Sequence, residues 1–257
     1  MKEKGAPSAQ ETRRSDYKGM SSEAPTSMLN CIIDLDKRCS MYIYNKNMGT
    51  PMGMPRAVLK TLENSGDGRL WIPGTIALWL ALALPPLSKP RWVVFNLFIG
   101  LLFDLTVIGF LKFLIRRPRP VYNHGMHLVV SMDHWSFPSG HASRAFFVAS
   151  FLCLCFLENT LWVETLGVRV FILVATWSIV TSASRVLLGR HFVLDVVAGA
   201  GLGVVEGIVV YNLLSFPEEV SERLYLWFVG NACRQQWHQP YLPLPDFCKA
   251  LNSSTGM

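Results

Sequence analysis

Charge is scarce in this chain. Of 257 residues, 16% are Asp, Glu, Lys or Arg, against 51% hydrophobic. Soluble proteins carry roughly a quarter charged residues, so an ordinary soluble domain is excluded. A disulfide framework is missing too. Of the six cysteines, Cys153 and Cys155 lie within an apolar run, Cys31 and Cys39 precede the apolar part, and Cys233 and Cys248 fall near the end. There is no CxxC and no Cys/His ligand spacing, so unpaired thiols are expected rather than a zinc site. The first apolar run begins far from the start, behind a polar segment, so a cleaved signal peptide is not expected. The net charge of +6 is not gathered on one polar face with interleaved aromatics, which excludes nucleic acid as a partner. It suits a membrane protein, where basic residues mark loops and interfaces.

What the chain does have is long apolar runs. Five are read: about 70–87, 92–115, 142–157, 168–188 and 192–214, each near the roughly 20 residues that cross hydrocarbon, the third being shortest. Trp71, Trp92 and Trp162 stand near run ends, as an aromatic belt requires. Gly199, Gly203 and Gly207 recur every four residues, a stripe for close helix approach. Before the runs, residues 28–46 place Ile32, Leu35, Cys39, Tyr42 and Ile43 at helical spacing opposite Asp34, Asp36, Lys37 and Lys46. Too charged to span, this stretch reads as an amphipathic helix in the interface. A short helix over 56–63 ends at Ser65-Gly66-Asp67-Gly68. The expected fold is all-α: a polytopic membrane helical bundle of about five transmembrane helices plus that N-terminal interfacial helix. Residues 1–27 are expected to be a disordered tail, 28–215 the membrane-embedded domain, and 216–257 a C-terminal tail whose Trp227, Phe228 and Trp237 touch the interface.

Polar residues concentrate at one set of run ends. The second run closes on Lys112-Phe113-Leu114-Ile115-Arg116-Arg117-Pro118-Arg119-Pro120, cations that repel one another unless an anion answers them. Ahead of the third run stands Phe137-Pro138-Ser139-Gly140-His141-Ala142-Ser143-Arg144, where Ser139 suits an N-cap and Gly140 opens backbone N–H groups to an anion. Between the fourth and fifth runs lies Ser184-Arg185-Val186-Leu187-Leu188-Gly189-Arg190-His191-Phe192-Val193-Leu194-Asp195, with His191 and Asp195 one helical turn apart. Each cluster alone has a bland reading: an anchor of basic residues, a capped helix, a helix end. Counting crossings puts all three on one membrane face, and three coincidences are much less plausible than one site. Asp104 and Glu206 are ionisable within spans, where a functional role is the default, but a buried pairing of Asp104 with a neighbouring helix reads at least as well, and both are left out of the site.

Taken together, KFLIRRPRP, PSGH and SRVLLGRHFVLD resemble the KxxxxxxRP, PSGH and SRxxxxxHxxxD motifs of the type 2 phosphatidic acid phosphatase superfamily, which includes lipid phosphate phosphatases, glucose-6-phosphatase and vanadium haloperoxidases. The motifs cover residues 112–195, and the helix layout extends the resemblance to about 28–214. Within the superfamily the chain is most similar to the presqualene and polyisoprenoid diphosphate phosphatases (phospholipid phosphatase type six), through the interfacial first helix, FPSGHASRA and SRVLLGRH. The resemblance implies that His191 attacks phosphorus and forms a phosphohistidine, oriented by Asp195, while His141 protonates the leaving oxygen. Lys112, Arg119, Ser139, Gly140 and Arg185 would hold the phosphate. Arg116, Arg117, Arg144 and Arg190 are surplus cations that favour a diphosphate or anchor a lipid headgroup. No acidic cluster is placed to hold Mg²⁺, so metal-independent hydrolysis without a cofactor is expected.

The implied partners are a lipid phosphate in the bilayer and the membrane itself, with homo-oligomerisation left open. Residence in the endoplasmic reticulum and nuclear envelope is implied as well. Three other readings compete: an inactive scaffold of the same fold, a vanadate-dependent haloperoxidase, and a phosphatase of phospholipid monophosphates. Intact motifs weigh against the first and five spans against the second. With five spans the N-terminus lies on the catalytic face, where Lys37, Arg38, Lys46, Arg56, Lys60 and Arg69 predict a cytosolic site.

Overall fold

The computed structural model of the chain describes residues 28–49, 53–82, 88–122, 134–157 and 164–237. The expectations for residues 1–27, the end of the first apolar run beyond Leu82, Trp162, Cys248 and the end of the chain lie outside these residues, as do the side chains of Cys233 and Trp237. The helices are α1 (Met28–Gly49), α2 (Arg56–Ser65), α3 (Gly68–Ala81), α4 (Ser88–Ile115), α5 (Gly140–Leu157), α6 (Glu164–Leu187), α7 (Val193–Val209) and α8 (Glu218–Trp237). A wider π-helical turn, Val210–Leu214, continues α7. Among the described residues there is no strand, only an isolated bridge between Pro118 and Trp135. This is the all-α bundle expected, and the described cysteines 31, 39, 153 and 155 form no disulfide.

Four helical stretches are long and apolar enough to cross a membrane: Pro90–Ile115, Gly140–Leu157, Val168–Leu187 and Val193–Leu214. The first expected run is shorter than read, because α3 has 14 residues and reaches only about 21 Å at 1.5 Å per residue. It still carries the chain from one end of the bundle to the other. Gly68, at its start, lies against the Arg144 guanidinium, and Leu82, just past its end, accepts a 3.0 Å hydrogen bond from Arg91 near the start of α4.

The bundle centre is the α5–α7 pair, and small residues explain its closeness. Cβ atoms at Gly199 and Gly203 would run into the carbonyl oxygens of Ser139 and Ser143, and one at Gly207 into the Ser150 hydroxyl. The glycine stripe is therefore a packing seam, as its spacing predicted. Beside it, Val93, Leu97 and Leu101 of α4 bury themselves against Phe147, Val148 and Phe151 of α5.

Two segments depart from expectation. The stretch read as a C-terminal tail begins as α8, which packs Tyr225 and Val229 against Trp79 and Val94. Its Glu222 holds the buried Arg91 by two hydrogen bonds of 2.8 and 2.9 Å. In α1 the polar Asp36 and Ser40 turn inward beside Met41, Asp36 being 5% exposed while Leu35 is 61% exposed. Amphipathic reasoning assumes water outside and oil within; a helix at a bilayer turns its apolar stripe outward.

Candidate active site

The α4 helix ends where its sequence demands. Arg116 adopts a left-handed φ of 50°, its N–H closes on the Lys112 carbonyl at 3.1 Å, and Pro118 blocks any further turn. Arg116 folds back, its Nε donating to the Phe113 carbonyl at 2.9 Å and its guanidinium lying 4.7 Å from the Phe113 ring centre. Lys112 is buried. Arg119 donates through Nη1 to the Arg190 carbonyl at 2.9 Å, and the same nitrogen lies 3.3 Å from His191 Nε2.

The α5 helix begins at Gly140, with the Ser143 N–H bonded to the Ser139 carbonyl at 3.0 Å. Ser139 is thus the residue just ahead of the helix, as predicted, but its hydroxyl is not spent on a cap. Ser139 Oγ and His141 Nε2 are buried with no hydrogen-bond partner among the described residues. Two such polar groups at a helix N-terminus fit an anion's oxygens. Ile108 leaves little room for a Cβ at Gly140, 3.3 Å away.

Between α6 and α7 the chain turns at Gly189, whose φ of 71° suits glycine. The Arg185 carbonyl receives the N–H groups of Arg190 at 2.9 Å and His191 at 3.3 Å. His191 is held from its far side: Nδ1 lies 2.8 Å from the Ser136 carbonyl. A carbonyl can only accept, so Nδ1 carries the proton and the Nε2 lone pair is left toward Arg119. Ser136 is itself locked to the first cluster, its N–H on the Arg117 carbonyl at 2.8 Å and its hydroxyl on the Pro118 carbonyl at 3.1 Å. Burial pushes the His191 pKa well below its ordinary value, and the cations Arg119, Arg185 and Lys112 push it the same way. The ring is therefore a neutral imidazole at neutral pH.

Asp195 stands beside His191 without a hydrogen bond to its ring. Its Oδ2 is 3.7 Å from His191 Nδ1, beyond a hydrogen bond, and accepts instead from the Phe192 N–H at 2.9 Å. The Ser136 carbonyl orients the ring; Asp195 supplies a nearby negative charge and closes the first turn of α7. A backbone carbonyl leaves no mark in a sequence, which is why Ser136 was missed.

The three clusters thus meet in one place. The PAP2 superfamily model matches residues 75–217. The chain is 38% identical over 224 residues to a probable lipid phosphate phosphatase beta of Arabidopsis thaliana, a match spanning 79% of this chain and all of that one. It is 32% identical over 111 residues to phosphatidylglycerophosphatase B of Bacillus subtilis, covering 43% and 51% of the two chains. The chain belongs to the PAP2 superfamily. The crystal structure of a transmembrane PAP2-type phosphatidylglycerolphosphate phosphatase from Bacillus subtilis shares the fold, with a TM-score of 0.58 at 22% identity over 70% of this chain and 85% of that one. The protein is accordingly a multi-pass membrane phosphatase, homologous to a lipid phosphate phosphatase.

The PAP2 match begins inside α3, yet both helices before it reach the site. Asp36 of α1 pairs with Arg117 at 2.6 Å, and the other guanidinium nitrogen pairs with Asp195 at 2.6 Å. Asp36 also accepts the Leu194 N–H at 3.0 Å and Ser40 Oγ the Val193 N–H at 2.9 Å. The first N–H groups of α7 are thus capped from another helix. In α2, Glu63 Oε1 lies 2.6 Å from Arg185 Nη1 and 3.2 Å from Arg190 Nε. Burial pushes the Glu63 carboxyl up, but Arg185 and Arg190 outweigh it and hold the pKa below its usual value. Arg117, read as surplus, is a strut between Asp36 and Asp195. Arg144, also read as surplus, pairs with Asp104 at 3.2 Å and donates to the Gly66 carbonyl at 3.1 Å. Ser143 donates to Glu206 at 3.2 Å. Asp104 and Glu206 thus meet Arg144 and Ser143 within the bundle.

Proposed function

We propose that the protein hydrolyses a lipid phosphate through a phosphohistidine on His191, with an isoprenoid diphosphate or phosphate of presqualene or farnesyl type as substrate. The observation that carries the mechanism is the hold on His191, with Nδ1 on the Ser136 carbonyl and Nε2 facing the Arg119 guanidinium. Nε2 attacks the terminal phosphorus in line, and the N–P bond forms as the bond to the leaving oxygen breaks, the bridging oxygen of a diphosphate or the lipid oxygen of a monophosphate. Lys112, Arg119, Arg185, Ser139 Oγ and the Gly140 N–H carry the charge on the phosphoryl oxygens. His141 gives its proton to the leaving oxygen, then takes one from the water that cleaves the N–P bond and releases inorganic phosphate. While the phosphohistidine exists its ring carries positive charge, and Asp195 at 3.7 Å offsets it.

The isoprenoid chain rests on the subfamily resemblance of FPSGHASRA and SRVLLGRH. A phospholipid monophosphate is the second reading, favoured by the engagement of Arg116, Arg117, Arg144 and Arg190 with protein partners. A diphosphate would need one of them released. Residence in the endoplasmic reticulum and nuclear envelope belongs to the same isoprenoid reading.

The test is a purified-protein panel of presqualene diphosphate, farnesyl diphosphate, phosphatidate and sphingosine phosphate, run in EDTA. Turnover of the isoprenoid substrates ahead of the others supports the first reading, and the reverse order the second. His191→Ala abolishes turnover and labelled phosphoenzyme, a loss of about 10⁴-fold or more for a nucleophile, whereas His141→Ala retains trapped phosphate. Acid-labile phosphoenzyme in the His191 variant overturns the assignment.

A further inference from the structure

The cations of the phosphate site already hold an anion of the protein's own. Glu63 Oε1 lies 2.6 Å from Nη1 of the fully buried Arg185 and 3.2 Å from Nε of Arg190. Both arginines belong to the turn that carries His191, since the Arg185 carbonyl receives the Arg190 and His191 N–H groups. The carboxylate therefore sits within the nucleophile's own turn.

Glu63 is delivered there by a firmly held segment. Leu59 anchors α2 with no exposure. The Ser65 carbonyl accepts the Trp71 indole N–H at 2.7 Å, and the Ser65 hydroxyl that of Trp177 at 2.9 Å. Next to it, Gly66 receives the Arg144 guanidinium and lies so close to His141 that a Cβ would be 3.3 Å from its ring. The end of α2 thus lies against His141, and its Glu63 against the turn that carries His191. The Glu63 side chain reaches the two arginines through rotatable bonds, so it can move without moving α2.

We propose that Glu63 is an internal competitor for the phosphoryl group, yielding Arg185 to the incoming phosphate and reclaiming it as inorganic phosphate leaves. The inference rests on Arg185 being a phosphate ligand. A carboxylate offers a guanidinium the same paired oxygens as a phosphate but less charge, so the phosphate displaces it. Without a carboxylate to return, a buried guanidinium would be stripped of its counter-ion each time product departs, and product would be held. Glu63 therefore weakens binding of every anion at the site and speeds release of the last one.

An ordinary supporting role makes the opposite forecast. Were Glu63 there only to aim Arg185, its loss would weaken phosphate binding. The two are separated by orthovanadate and inorganic phosphate as inhibitors of the full-length enzyme, with Glu63→Gln, which keeps the shape, and Glu63→Ala. The expected result is that both inhibition constants fall by about tenfold in Glu63→Gln, as removal of a charge from a screened site implies. KM and kcat fall together because release slows. Inhibition constants that stay the same or rise overturn the proposal, as does failure of both variants to fold, which would make Glu63 an anchor. Loss of all lipid phosphate turnover and vanadate inhibition in the unaltered enzyme would instead remove the phosphatase reading on which it rests.

Discussion

His191 is held by one neighbour and threatened by several. The Ser136 carbonyl fixes its tautomer, and burial together with Arg119, Arg185 and Lys112 keeps its proton off. Because the folded pKa is depressed below the ordinary value of about 6.5, the unfolded chain takes up this proton first as pH falls. The contribution of neutral His191 to stability is therefore present above about pH 6.5 and is lost as pH falls from there through the folded pKa. The nucleophile accordingly stays unprotonated into mildly acidic solution, and the acid limb of phosphoenzyme formation that belongs to His191 should lie below about pH 6.5. Arg119→Gln removes a cation 3.3 Å from Nε2, so that limb should move upward while the rate falls about 10²-fold through lost charge stabilisation. Rapid-quench measurement of phosphoenzyme against pH checks both. A limb that moves downward in the variant would show that Arg119 does not act on the ring.

At the scale of elements, the α5–α7 seam fixes where the two histidine-bearing ends meet. A Cβ at Gly203 would strike the Ser143 carbonyl oxygen and lie close to the Phe147 nitrogen, both backbone atoms that cannot rotate aside. Gly201, on the same helix, has nothing within 4 Å of such a Cβ. Gly203→Ala should therefore cost about 1–3 kcal/mol through overpacking and displace α5, with an activity loss of about 10²-fold for a shift near 1 Å. Gly201→Ala should be neutral or stabilising by up to about 1 kcal/mol. Thermal unfolding and turnover of the pair in one detergent compare them directly, and equal behaviour would refute the seam. This seam was legible in the sequence because small residues repeat at helical period, as were the three motif clusters and their common face. Less legible was everything that depends on which of two neighbours turns inward. Arg117 and Arg119 are two residues apart, and only the fold sends the first to Asp36 and Asp195 and the second to His191. Asp36 lay on the polar side of the α1 pattern, and only the fold turns it onto Arg117 and the start of α7.

The whole molecule has a built-in direction. Both N-terminal helices are tied to the site end, α1 through Asp36 and Ser40 at the start of α7 and through Tyr44 stacked on Tyr122 at 4.7 Å, α2 through Glu63. From there α3 carries the chain to the opposite end, where Arg91 meets Leu82 and Glu222. The chain thus runs the length of the bundle along α3, and α4–α7 add four more passes, so α1, α2 and the site share one face. That face also carries the exposed cations Lys37, Arg38, Lys46, Arg56, Lys60 and Arg69, more than the exposed Arg169 and Arg223 at the other end, where Arg91 is buried and neutralised by Glu222. Basic residues close to span ends are retained on the cytosolic side. An N-terminal tag should therefore be cleaved by protease added to intact microsomes, and single cysteines placed at exposed Lys37 or Lys60 should react with a membrane-impermeant maleimide before detergent is added. Protection of both until the membrane is dissolved would turn the protein over. The phosphoryl group would then have to be presented from the lumenal leaflet, not the cytosolic one, because Glu63, His141 and His191 lie at the same end as those cations.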